Sequence, residues 1–124
     1  MLKSVPVLAI DIDDLEMKIV YASPLLHEMF GYGHRELIGL PIDVLLRPED
    51  VERHHEFFAA YRENRDTRTM NAGVWVPALK KNGREFMIQV SLCTEPVGRL
   101  YCVIACIADV TAAYSRMHPQ PFHH

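Results

Sequence analysis

The chain has 124 residues, a formal net charge of −3, and 49% apolar and 23% charged side chains. That length suits one domain with a real core, and the charge leaves no basic footprint for nucleic acid. No apolar run approaches the ~20 residues of a membrane span, and the opening residues lack the apolar stretch and cleavage site of a signal peptide.

Residues 5–13 (VPVLAIDID) predict a first strand, DDLE a turn, and the β-branched stretch MKIVYAS a second strand that completes a hairpin. Ser23-Pro24 then marks a helix start, because serine caps well and proline suits the first helical position. The helix PLLHEMF runs into Gly31, which can end it. GHRELIG and PIDVLL are short helical turns broken by Gly39 and Pro41. A longer helix begins after Arg47, where Pro48, Glu49 and Asp50 all favour a first turn, and continues to about Glu63.

Three strands follow: MNAGVWVPALK from Met70, REFMIQVSLCT across the hairpin signal Asn82-Gly83, and LYCVIACIADV after the turn EPVGR. The last strand is apolar on both faces, with Leu100, Cys102, Ile104 and Cys106 against Tyr101, Val103, Ala105 and Ile107. Such a strand needs cover on both sides. The chain's helices can cover one face; a terminal helix or a second subunit must cover the other. The order of two strands, a group of helices and three strands is α+β, an antiparallel sheet with helices on one face.

Within the long helix, His54 and His55 are adjacent but not equivalent. At 100° per residue Val51, His54, Phe57, Phe58 and Tyr61 share one sector, with His54 near its centre. His55 lies towards the charged side. An inward histidine among aromatics can be an axial haem ligand, since imidazole suits iron. It can equally be a half-buried residue bonded to backbone or to a carboxylate. Trp75, the only tryptophan, reads as a core or interface anchor or as a cavity wall.

The three cysteines, Cys93, Cys102 and Cys106, read as buried free thiols of a cytoplasmic protein. Cys102 and Cys106 are ~13 Å apart along a strand, too far for a disulfide or a shared metal. The acidic clusters Asp11-Asp13-Asp14 and Glu49-Asp50-Glu52 sit at turns with no partnered base. No nucleophile triad or phosphate loop stands out, so the chain is not expected to be an enzyme.

Several landmarks, in order, resemble the PAS family of sensory domains. They are Gly31-Tyr32, Glu36-Leu37-Ile38-Gly39, the Pro48-Glu49-Asp50 helix start, the Lys80-Lys81-Asn82-Gly83 hairpin and the ending Asp109-Val110-Thr111. Ser23-Pro24-Leu25 replaces the family's usual Asn-x-Ala helix start. The resemblance runs over residues 5–113, leaving 114–124 as an extension, linker or tag remnant. It implies a five-stranded antiparallel sheet in order 2-1-5-4-3 with helices on one face and a small cavity between.

The resemblance further implies a signalling module, of the two-component or cyclic-di-GMP kind, that binds a small ligand or a partner and relays to an output domain. The last strand, apolar on both faces, predicts a homodimer through the outer sheet face. The ligand-pocket candidates are His54, Phe57, Phe58, Tyr61, Trp75 and Ile104; the relay is Asp109, Val110 and Thr111. In haem-binding oxygen sensors of this family the proximal histidine matches His54, which makes haem possible. The distal positions, however, are Val74 and Ala72 here, with Met70 nearby. Light-sensing relatives use a flavin attacked by a cysteine at the start of the long helix. This chain has RPEDVERHH there, so flavin is expected to be the unlikely cofactor. A ligand-free interaction adaptor is a third reading.

Overall fold

The computed structural model describes residues 5–63 and 74–118. The expected strand start at Met70, the distal position Ala72, and the tail from Pro119 lie outside the described residues.

Strand β1 (Val7–Asp11) and strand β2 (Ile19–Ala22) form the first hairpin, with Leu8 opposite Ala22. β2 starts later than its composition suggests. Met17 takes φ +54°, a left-handed turn conformation that no strand accommodates. The turn before it is held by Asp14, whose carboxylate accepts the backbone N–H groups of Glu16 and Lys18.

Helix α1 (Pro24–Phe30) begins and ends where the sequence places it. Ser23 caps it by accepting the Leu26 N–H, and Gly31 closes it at φ +84°. The same hydroxyl accepts the Val7 N–H at 3.1 Å and donates to the Val5 carbonyl at 2.7 Å. One fully buried serine therefore joins the first strand to the first helix, and the departure from Asn-x-Ala leaves the cap intact.

After α1 the chain passes through turns and a 3-10 helix (Ile42–Leu45). Buried His27 organises this segment. Its Nε2 accepts the Leu37 N–H at 3.1 Å, so its proton resides on Nδ1, which donates to the Ser23 carbonyl at 3.1 Å. Helix α2 (Pro48–Glu63) follows, with Glu49 and Asp50 in its first turn and Arg62 in its last, the polarity a helix dipole favours.

Strands β3 (Val74–Leu79), β4 (Glu85–Val97) and β5 (Leu100–Asp109) complete one sheet of order β2-β1-β5-β4-β3. All its pairings are antiparallel. β4 runs three residues further than its alternation suggests, through Glu95-Pro96-Val97. The β4–β5 turn is thus only Gly98-Arg99, with Gly98 at φ +61°, as a tight primed turn needs. The fold is α+β, with the helices α1 and α2 on one face.

Inward residues of the sheet (Leu8, Ile10, Ala78, Ile88, Val103, Ala105 and Ile107) join Phe30, Leu45, Phe58 and Tyr61 in one core. Helix α3 (Thr111–Met117) turns back against β4 on the other face, where Tyr114 meets Trp75 at 6.5 Å between ring centroids. Among the described residues no helix is long and apolar enough to cross a membrane.

Candidate functional site: an apolar cavity beside His54

A cavity of about 330 Å³ lies between the helices and the sheet, at the small end of the ~300–1,000 Å³ range of ligand pockets. The sheet supplies an aliphatic wall: Leu8 and Ile10 of β1, Val76 and Ala78 of β3, Ile88 and Val90 of β4, Val103, Ala105 and Ile107 of β5. The opposite wall is α2, through Asp50, Arg53, His54, Phe57 and Phe58, with Phe30, Ile42 and Leu45 closing the end. The α2 residues recur at i, i+3, i+4, i+7 and i+8, one stripe of a 3.6-residue helix.

Three lining residues carry charge or a titratable ring, and two of them engage each other. The Asp50 carboxylate receives Arg47 Nε at 2.7 Å and Arg53 Nη2 at 2.8 Å. The Arg47 hydrogen bond holds the Asp50 carboxyl below the usual carboxylate range. Arg53 lies at the solvent edge, its side chain 75% exposed.

His54 is different. Its ring stacks on Phe58 at 6.1 Å and tilts against Phe57 at 6.4 Å. Its Nδ1 is buried with no hydrogen-bond partner among the described residues. Burial pushes its imidazole below the ordinary range, the Asp43 carboxylate pulling weakly the other way. Burial thus favours the uncharged ring.

His55 points away, as the helical count requires. It is no bystander: Nε2 meets both Asp43 oxygens at 2.9 and 3.1 Å, tying α2 to the 3-10 helix.

Of the sequence candidates, His54, Phe57 and Phe58 line the cavity, while Tyr61, Trp75 and Ile104 do not. Tyr61 is buried one turn further along the same stripe, and its hydroxyl has no partner among the described residues. Trp75 and Ile104 alternate with cavity residues and so point to the outer face, where Trp75 Nε1 donates to Gln89. Asp50 and Arg53 went unnoticed as cavity residues, although Asp50 lies four residues before His54 and Arg53 four before Phe57, spacings that share one helix face. Cys102 is buried and Cys93 half-buried, their thiols pushed up chiefly by burial, but Cys106 is exposed, contrary to expectation, because α3 covers only part of the outer face.

Asp109, Val110 and Thr111 form the junction between β5 and α3. Val110 N–H donates to the Met87 carbonyl, Thr111 Oγ1 accepts the Met87 N–H at 3.1 Å, and Asp109 Oδ1 accepts the Thr111 N–H. The junction is fastened to the β4 residue next to Ile88, a cavity residue.

Comparison with known proteins places these features in context. The family model described as PAS domain matches residues 5–112. No curated protein matches. Among solved structures, a PAS domain from Desulfitobacterium hafniense is similar at a TM-score of 0.70 and 18% identity, over 88% of this chain and 97% of that one. The PAS domain of the fruit-fly ELK potassium channel gives 0.64 and 17%, over 86% and 87%. A LOV protein from Rhodobacter sphaeroides gives 0.68 and 16%, over 86% of this chain and 60% of that one.

The LOV matches, which include a light-oxygen-voltage receptor, correct the cofactor expectation. They belong to the light-sensing class for which flavin is the chromophore, so flavin is a plausible occupant of this fold rather than an unlikely one. Haem gains no support from them. The apolar lining and the His54 Nδ1, unpartnered among the described residues, are what a flat ring with a polar edge would meet here. Among the described residues no cysteine lines the cavity, so such a ring would be held without a covalent bond.

Proposed function

Because the chain belongs to the PAS domain family, we propose that it is a sensory module that binds a small molecule between its helices and sheet and relays occupancy to an attached output domain. PAS domains are characteristically non-catalytic sensory modules, so the cavity is read as a site that binds. The observation that carries the reading is the cavity itself. It is enclosed by α2 on one side and by β4 and β5 on the other, with one buried polar atom of His54 unpartnered among the described residues.

Occupancy acts on the sheet by population shift. A ligand that pushes on Ile88, Ala105 or Ile107 changes how β4 and β5 pack. Asp109, Val110 and Thr111 stand directly beyond them, and α3 leaves from Thr111. The outer face gives the module a surface for a second copy, where Ile104 is half-buried and Cys106 and Ala108 are exposed.

Native mass spectrometry of the purified protein, with its visible absorption spectrum, tests the reading. A bound mass that leaves on denaturation supports it, and flavin would announce itself by its colour. A protein that carries nothing, and whose unfolding temperature no small molecule including riboflavin raises, counts against it. Light scattering at rising concentration tests the second copy, and a persistent monomer removes that part.

A further inference from the structure

We infer that the part of the ligand held in this cavity is an uncharged, largely apolar group anchored by one hydrogen bond to Nδ1 of His54. The inference rests on the cavity being a ligand site and specifies what it accepts.

The lining is aliphatic and aromatic apart from Asp50, Arg53 and His54. A charged group entering such a space gives up its water and needs a counter-charge in return. Neither available charge is free. Asp50 is held between Arg47 and Arg53, and Arg53 spends its guanidinium on Asp50 with most of its side chain in solvent. An anion would have to pull Arg53 off Asp50, and a cation would have to displace two arginines.

Among the described residues His54 Nδ1 has no such engagement. A buried polar atom without a partner costs stability, and a ligand atom that supplies the partner recovers that cost. As a neutral ring, His54 can donate or accept at Nδ1 according to tautomer. Its stacking on Phe58 fixes the ring plane, so the ligand's polar atom must approach in that plane, beside the aromatic surface.

Three probes of one shape separate the parts: 2-naphthol, naphthalene and 2-naphthoate, titrated into the whole chain by calorimetry. The expected order is 2-naphthol tightest, naphthalene about tenfold weaker, the worth of one hydrogen bond, and 2-naphthoate undetectable. In His54→Phe the advantage of 2-naphthol over naphthalene disappears while naphthalene still binds, which also reports that the variant is folded. In the unmodified protein, nitrogen NMR of the histidines gives an independent readout. The His54 Nδ1 resonance moves with 2-naphthol and stays put with naphthalene. Equal binding of 2-naphthol and naphthalene, or 2-naphthoate binding as tightly as 2-naphthol, overturns the inference and leaves the cavity a ligand site. Failure of all three probes to bind also overturns the inference, and the native mass spectrum then decides whether the cavity is a ligand site.

Discussion

Two histidines of the interior, His27 and His54, are held in different ways. His27 is consumed by the backbone. Its Nε2 accepts from Leu37 and its Nδ1 donates to the Ser23 carbonyl. Replacing His27 by Ala leaves the Leu37 N–H without its acceptor, and urea unfolding should show a loss of at least about 1–3 kcal/mol. An NMR spectrum showing the proton on Nε2 instead would sink this account. His54 is held neutral by burial, and that has a direction in pH. A proton binds the unfolded chain more readily than the folded one. Stability from this group is full above the ordinary histidine value of about 6.5 and is lost as pH falls through the lowered value in the fold. Unfolding curves from pH 7.5 to 5 should fall more steeply for the natural chain than for His54→Phe; parallel curves would refute the assignment. Asp50, whose carboxyl is also lowered, adds a separate loss that begins only below about 4.

At the scale of elements, the helical count in the sequence separated His54 from His55 correctly, because one helix on one core leaves little freedom in which stripe faces in. Strands were less legible. Alternation says that Trp75 and Val76 face opposite ways, but only the sheet tells which way is in. The apolar character of both faces of β3 and β5 hides that choice, so Trp75 and Ile104 could not be assigned from alternation alone. Asp50 was equally hidden, since an acidic residue in a first turn is ordinary unless arginines at −3 and +3 fold over it. The position of Trp75 now makes it a reporter for α3, whose Tyr114 leans on it. Thr111→Val removes the hydroxyl contacts to Met87 and should cost about 0.5–1.5 kcal/mol per hydrogen bond lost. The tryptophan emission should shift to the red as α3 loosens. An unchanged emission maximum would show that the helix is held without them.

At the scale of the molecule, the question is whether the space beneath α2 is empty by design. Ala105 is the small residue in the middle of its floor, between Val103 and Ile107 on β5. In a filled core, adding three carbons at Ala105 costs about 1–3 kcal/mol. In an open cavity it buries apolar surface at no such cost. Ala105→Leu should therefore keep or raise the unfolding temperature while abolishing 2-naphthol binding. A sharp fall in stability would indicate a packed interior and favour the adaptor reading. The element order and sheet topology were legible from landmarks spread along the chain, but a cavity is a difference between volumes and no local pattern encodes it.

The sheet order has a consequence in time. β1 leaves a ribosome before the other strands of its sheet, yet the strand it needs at its other edge is β5, with Val7 opposite Cys106. Every other strand of the sheet must be made before that edge is closed, whereas β3, β4 and β5 pair with immediate neighbours in sequence. Non-local pairing of this kind is slow, and an unpaired strand edge invites association with other chains. The nascent N-terminal hairpin must wait, half-paired, for the last strand of the sheet, so a stalled or truncated translation product ending before Leu100 is the form of this chain most exposed to aggregation.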